Sequence, residues 1–106
     1  MANGAFSRRE LKHLLKRYQE KLKAMNIPVT NIYLYGSYAK NKARKGSDID
    51  ICIISPKFKD RIDATMMLMK IRNDDELMIS PVAFSPDTFV EENPLAWEIK
   101  QTGSLL

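Results

Sequence analysis

Two aspartates open an apolar run in the middle of the chain, "DIDICII" from Asp48 to Ile54. The β-branched residues and the closing Pro56 predict a strand over these positions. Because alternate side chains of a strand share a face, Asp48 and Asp50 point the same way and the isoleucines between and after them face a core. An ionised carboxylate in such surroundings needs a cation or a hydrogen-bond donor. The strand therefore limits both the fold and the kind of site it can carry.

The spacing of the two carboxylates suits a metal ion. Their Cβ atoms would lie ~7 Å apart, a span that one or two divalent cations can bridge, and hard oxygen ligands suit Mg²⁺. Upstream, Gly36 lets the chain turn at the end of a strand, and Ser37 could cap a short helix reaching Ala43. Free N–H groups at such a turn bind phosphate. Together the two motifs indicate a nucleotide phosphate pocket.

Other elements follow from periodicity and capping residues. Pro81 lies inside the third predicted strand, which favours an edge or irregular position for that strand. Together the elements predict an α/β (α+β) domain with a small mixed sheet flanked by helices. In chain order we expect a helix at Ser7–Met25, strands at Asn31–Tyr35 and Asp48–Ile54, a helix at Asp60–Asn73, a strand at Glu76–Phe84, a helical start at Ser85-Pro86 and a last helix from Pro94 to Gly103.

Length and composition predict one globular domain over residues 1–106, with 44% hydrophobic and 28% charged residues. Cys52 is the only cysteine, which excludes an intrachain disulfide and favours a buried role in a reducing setting. No segment has the length of a signal peptide core or of a membrane span, so we expect a cytoplasmic protein. The methionines near Met66 are expected to pack in the core, with a partner surface as the alternative.

The net charge of +4 leaves a further alternative open. Seven of the 17 Lys and Arg residues lie between Arg8 and Lys23, where a solvated helix face is the usual meaning. A basic nucleic-acid binder would also fit a pI of about 9.3, but the chain has no aromatic-basic platform or recognised nucleic-acid motif. Four further cations close to the aspartates could meet a polyphosphate: Lys40, Lys42, Arg44 and Lys45.

The Gly36-Ser37 pair, ten intervening residues and the Asp48-Ile49-Asp50 stretch resemble the signature of nucleotidyltransferases related to DNA polymerase β. More narrowly, the small size and the ending "SPDTFVEENPLAWEIKQTG" resemble the minimal nucleotidyltransferase domains of bacteria and archaea. The resemblance covers nearly the whole chain. It implies the polymerase β-like fold and the transfer of a nucleoside monophosphate from ATP or another nucleoside triphosphate, with Mg²⁺ as cofactor.

The resemblance also assigns roles to residues. The aspartates that would hold Mg²⁺ and carry catalysis are Asp48 and Asp50, and the residues expected to bind the nucleotide are Gly36, Ser37, Lys40 and Ser47. Relatives of this kind are often paired with a helical HEPN-type toxin, and some transfer AMP onto a tyrosine of that partner. The resemblance thus implies a protein acceptor, whereas the exposed apolar surface of so small a domain would also permit a homodimer.

One position departs from the family pattern. Relatives have a third carboxylate in the following strand, where this chain has Ser80. Serine carries no charge and is a poor general base at neutral pH. Glu76, four residues earlier, lies ~13 Å away along an extended strand and does not obviously replace it. We therefore expect nucleotide binding with weak or lost turnover, and a non-catalytic antitoxin or interaction module remains the alternative.

Overall fold

The computed structural model describes residues 4–106 and contains a four-stranded mixed sheet with helices on both sides. Strand β2 is parallel to β3 and antiparallel to β1, and the sheet order is β3-β2-β1-β4. The predicted α/β architecture is therefore confirmed. The elements are α1 (Arg8–Ala24), β1 (Asn31–Tyr35), β2 (Ile49–Ile54), α2 (Arg61–Lys70), a 3₁₀ turn (Asp74–Glu76), β3 (Ile79–Phe84), α3 (Pro94–Thr102) and β4 (Ser104–Leu105).

Helices α1 and α2 cover one face of the sheet. Helix α1 begins at the predicted capping box, in which Ser7 Oγ accepts the Glu10 N–H and the Glu10 carboxylate accepts the Ser7 N–H. Its apolar side joins the isoleucines of β2 and two residues of α2 in a single buried cluster. The fully buried members include Tyr18, Leu22, Ile49, Ile51, Ile53 and Leu68.

Helix α3 covers part of the opposite face. Its buried residues Ala96 and Ile99 pack with Tyr35, Cys52 and Phe84. Burial raises the pKa of the Cys52 thiol to about 12, so this residue is a neutral hydrophobe, as its sequence context predicts. After α3 the chain returns as the short strand β4 beside β1, an element that two residues could not reveal in the sequence.

The edge strand β3 is protected by α2 and the residues after it. Thr65 Oγ1 accepts the Ala83 N–H at 3.0 Å, and Arg61 Nε donates to the Ala83 carbonyl at 2.9 Å. Arg72 donates to the carbonyl of Ile79. Pro81 has no N–H to donate, and its position on an edge strand tolerates that, as predicted. These contacts occupy backbone groups that would otherwise pair with another strand.

Two predicted helical starts are wrong. After β1 the chain forms consecutive turns from Gly36 to Asn41, and Asn41 has a positive φ of +58° that no helix continues through. Ser37 therefore caps no helix. Ser85 Oγ accepts the Thr88 N–H at 3.2 Å, as an N-cap would, but the chain leaves the turn at once. At Ser85 the cap-like contact stays within one turn, and in neither place does the chain continue into a helix.

The expected core role of the α2 methionines is also wrong in part. Ala64 and Leu68 are the buried residues of this helix, and Met66 and Met69 are 50% and 45% exposed. Apolar residues lie on both sides of α2, so periodicity did not show which side faces the sheet. Likewise, β3 begins at Ile79 rather than Glu76.

Among the helices of residues 4–106, none has the length and apolar character that a membrane span requires.

Candidate functional site

Asp50 stands in a row of three side chains across the sheet. In the strand register it is paired with Tyr35 of β1 and with Ser80 of β3. Paired residues of neighbouring strands point to the same face, so all three lie on the side that α3 partly covers. Asp48 is exposed and directly precedes β2. The two aspartates therefore lie at the start of β2, where β1 ends.

The Gly36 turn lies directly against the Asp50 carboxylate. Gly36 has a positive φ of +72°, a conformation that L side chains rarely adopt. A Cβ atom placed on Gly36 would overlap Asp50 Oδ2. Glycine is therefore required here twice, once for the backbone conformation and once for the space. The close approach joins the two predicted motifs, the turn and the aspartates, in one place.

Two other carboxylates lie near Asp50, those of Asp48 and Glu98. Burial, followed by the charges of Asp48 and Glu98, raises the pKa of Asp50 above its usual range. Burial and the Asp50 charge also raise the pKa of the Tyr35 hydroxyl well above its usual range. Neither aspartate takes part in an ion pair within the described part of the chain. A cation bound here would relieve the repulsion between these carboxylates.

Two carboxylates, Asp48 and Asp50, fit a cation whose remaining ligands come from the substrate and water. Among residues 4–106, no cluster of three or more His, Cys, Asp or Glu side chains is arranged to hold a metal ion. Mg²⁺ is commonly held by one or two carboxylates together with substrate phosphates and water. Asp48 and Asp50 match that pattern, in which the metal and the nucleotide bind together.

The other residues expected to bind nucleotide surround the same turn and loop. Ser37 is partly exposed within the turn, and the Lys40 side chain is exposed next to it. The Lys40 N–H donates to the Gly36 carbonyl at 3.2 Å, which holds the turn closed. Ser47 Oγ accepts the Arg44 N–H at 2.8 Å, so the Ser47 hydroxyl proton is still available for a ligand. Their contact with a nucleotide stays a prediction.

Ser80, which the family resemblance predicts to stand at the third-carboxylate position, lies directly beside Asp50. Glu76 cannot move there in this fold, because it is 1% exposed and forms an ion pair with Lys21 on the other side of the sheet. Glu98 of α3 is an acid that the sequence reasoning missed. The burial of Ala96 and Ile99 places Glu98 at the margin of the α3 contact, but the sequence alone does not show which strand α3 approaches.

Comparisons with known proteins show the family and the fold of this chain. The model of the nucleotidyltransferase domain family matches residues 11–106. A search of curated proteins gave no significant match. Among solved structures, a Sulfolobus solfataricus protein assigned as a nucleotidyltransferase is 20% identical with a TM-score of 0.60, covering 88% of this chain and 76% of that chain.

Two further structures come from toxin–antitoxin pairs. One, a toxin–antitoxin with AMP-PNP, is 23% identical with a TM-score of 0.54, covering 85% of this chain and 70% of that chain. The other is a mutant of the toxin–antitoxin MntA-HpeT, 27% identical with a TM-score of 0.55, covering 86% and 70%. With the family model matching most of its length, this chain belongs to the nucleotidyltransferase domain family and has the polymerase β-like nucleotidyltransferase fold.

Proposed function

We propose that this chain binds Mg²⁺ and ATP at the junction of the Gly36 turn and the two aspartates, and transfers AMP slowly to a hydroxyl group. The observation that carries the proposal is the contact between the Gly36 backbone and Asp50 Oδ2, which leaves no room for a side chain. A turn suited to phosphate binding thereby lies beside two carboxylates that form no ion pair within residues 4–106. Family membership supports the same reaction class.

In this proposal each residue has a defined task. Asp48 and Asp50 would hold Mg²⁺, which neutralises charge on the phosphates during transfer. The N–H groups of the turn and the Ser37 hydroxyl would contact the phosphates, and Lys40 would add positive charge at the open side. Both aspartates lie where β1 and β2 meet, so the metal and the phosphates would share one small volume.

The transfer step needs a general base, which Ser80 does not supply. The acceptor oxygen bonds to the α-phosphorus of ATP, the bond to pyrophosphate breaks, and the hydroxyl proton must leave. Ser80 beside Asp50 cannot take that proton effectively, so the proton passes to water and transfer is slow. We propose a tyrosine of a helical HEPN-type partner as the acceptor. The similarity to a toxin–antitoxin structure at 27% identity supports this choice.

Calorimetric titration of the protein with ATP in the presence of Mg²⁺ tests binding. We expect measurable affinity that Asp48→Asn with Asp50→Asn reduces at least ~10-fold while the fold persists, because the carboxylates hold the cation. The matched control is Asp87→Asn with Glu91→Gln, two exposed acids beyond the far end of β3. Equal affinity in the aspartate double variant and the control would contradict the proposal.

The position of Ser80 favours a second candidate, a non-catalytic antitoxin that acts by covering its partner. Assays of AMP transfer with labelled ATP and the co-expressed partner distinguish the two. If the missing base limits the first function, Ser80→Glu should raise transfer by ~10²-fold, at the low end of general-base effects. No transfer by either protein, with intact ATP binding, would favour the second candidate. Brisk natural transfer that Glu98→Gln abolishes would place the base on α3 instead.

A further inference from the structure

The outer side of α2 carries an apolar stripe that nothing in the described chain covers. Ile62, Met66 and Met69 recur at helical spacing and are 74%, 50% and 45% exposed. The opposite side of the helix already packs on the sheet through Ala64 and Leu68. A contiguous exposed apolar stripe on a small domain indicates a contact surface.

Another exposed apolar residue follows the end of the helix. Arg72 donates to the carbonyl of Met69 at 2.8 Å and to the carbonyl of Leu77 at 3.0 Å, which brings these residues close together. Leu77 is 58% exposed. The α2 surface, defined as Ile62, Met66 and Met69, is thus followed by a segment that the Arg72 side chain holds by hydrogen bonds to the Met69 and Leu77 carbonyls.

Two opposite charges flank the stripe on the same side. Asp63 and Lys70 are seven residues apart, which is nearly two full turns, so their side chains lie in line along the helix. Both are exposed, and neither takes part in an ion pair within residues 4–106. Asp63 lies three residues before Met66, and Lys70 lies four residues after it. The surface is thus an apolar centre with one charge of each sign at its ends.

This pattern is complementary to itself. We propose that two copies of the chain associate through their α2 surfaces, antiparallel about a two-fold axis near Met66. In that arrangement Met66 meets its own copy and Ile62 meets Met69 of the other copy. A two-fold axis perpendicular to the helices keeps the charged flanks on the same side, so each Asp63 faces a Lys70. A parallel pairing would put the two charged flanks on opposite sides of the contact.

The dimer is a weak one and leaves the candidate site open. One ten-residue helix offers less area than the ~1,200 Å² at which standard interfaces begin, so association depends on protein concentration. Helix α2 packs on the sheet face opposite to the one that carries Asp50. Self-association therefore neither blocks the Gly36 turn nor rests on the proposed nucleotide chemistry.

Sedimentation equilibrium over a range of concentrations tests the charge pairing. The natural protein should show a reversible monomer–dimer equilibrium. Asp63→Lys and Lys70→Asp, each of which brings like charges together, should weaken it at least ~10-fold, and the two changes combined should restore it. Glu91→Lys makes an equal charge change outside α2 and should have no effect. A natural protein that stays monomeric throughout, or a double variant no better than the single ones, would overturn the proposal.

Cross-linking tests the orientation of the helices. Met66→Cys should form a disulfide-linked dimer under mild oxidation, because the two copies of this position meet at the axis. Ile62→Cys should not, since its two copies would lie ~12 Å apart along the antiparallel helices. The natural Cys52 is buried and will not compete. Efficient cross-linking through Ile62→Cys, or none through Met66→Cys, would exclude the antiparallel dimer.

Discussion

Glu76 is a fully buried carboxylate and Asp50 a partly buried one, and the residues around them compensate the two charges differently. Glu76 is almost fully buried and forms an ion pair with Lys21, and its Oε1 also accepts the Asn73 N–H at 2.7 Å. Asp50 has no cation partner in residues 4–106, and its charged neighbours are Asp48 and Glu98. The charge of the first carboxylate is balanced within the fold, whereas that of the second would be balanced by the cation of the proposed function.

Around Glu76, hydrogen bonds connect α1, the end of α2 and the 3₁₀ turn. Lys21 of α1 also donates to the Ile71 carbonyl at 2.8 Å, at the end of α2. Beside it, the Tyr18 hydroxyl donates to the Leu68 carbonyl. Glu76 Oε2 nevertheless has no partner among the described residues. A buried carboxylate with one free oxygen is stable only while its cation remains, and this dependence makes the comparison testable.

The largest effect is expected from removing that cation. Lys21→Met should lower the free energy of unfolding by about 3 kcal/mol, because it leaves the Glu76 charge buried without its partner. Urea denaturation monitored by circular dichroism measures the change. Arg17→Met is the matched control: Arg17 and Asp75 form an exposed ion pair at 2.9 Å, so the expected loss is about 0.5 kcal/mol.

A double variant sharpens this prediction. Lys21→Met combined with Glu76→Leu removes both charges and should recover most of the lost stability, since an apolar pair needs no compensation. If Lys21→Met and Arg17→Met cost the same, Glu76 would not depend on its partner. The contrast with Asp50 would then be lost.

The second effect separates backbone strain from the fit at the candidate site. Gly36→Ala should lower stability by about 1–2 kcal/mol through the positive φ and should also weaken ATP binding at least ~10-fold, because its methyl group displaces the Asp50 carboxylate. Gly46→Ala is the control. Gly46 also has a positive φ, of +85°, but a Cβ there meets no atom within 4 Å.

Titration calorimetry and denaturation of both glycine variants give the comparison. Gly46→Ala should lose a similar amount of stability and keep its ATP affinity. If Gly36→Ala and Gly46→Ala lost the same ATP affinity, the loss would come from backbone strain at a positive φ and not from the overlap with Asp50. The Asp50 contact would then have no role in binding.

The sequence predicted the elements whose signals are local and redundant. The capping box at Ser7, the isoleucine alternation in β2 and Pro94 at the start of α3 each fixed an element to within a residue or two. The Asp48–Asp50 pair and the Gly36 turn were likewise placed next to each other by motif alone. What the motif did not show is that the turn touches the carboxylate, because that contact depends on the β1–β2 register.

The failures share a physical cause, namely packing decided by distant residues. Helix α2 is apolar on two sides, and only the sheet determines that Leu68 is buried while Met66 is exposed. Glu76 was considered as a strand residue, yet it belongs to a 3₁₀ turn held by Lys21, 55 positions earlier. Glu98 gained its proximity to Asp50 only through the docking of α3. No local pattern reports such long-range partners.

The smallest effect concerns the pH dependence of stability without metal. Because burial, Asp48 and Glu98 raise the pKa of Asp50, the folded protein retains a proton that the unfolded chain has already released. The free energy of unfolding should therefore fall as the pH rises from the usual carboxyl pKa of about 4 through the raised one. The other carboxylates contribute to the pH dependence of the natural protein and of Asp50→Asn alike. The informative quantity is therefore the difference in the free energy of unfolding between these two proteins. In EDTA, urea denaturation should show that the natural protein loses stability relative to Asp50→Asn over this pH range, and Mg²⁺ with ATP should reduce that loss. Two parallel pH curves would show that the pKa of Asp50 is not raised in the folded protein.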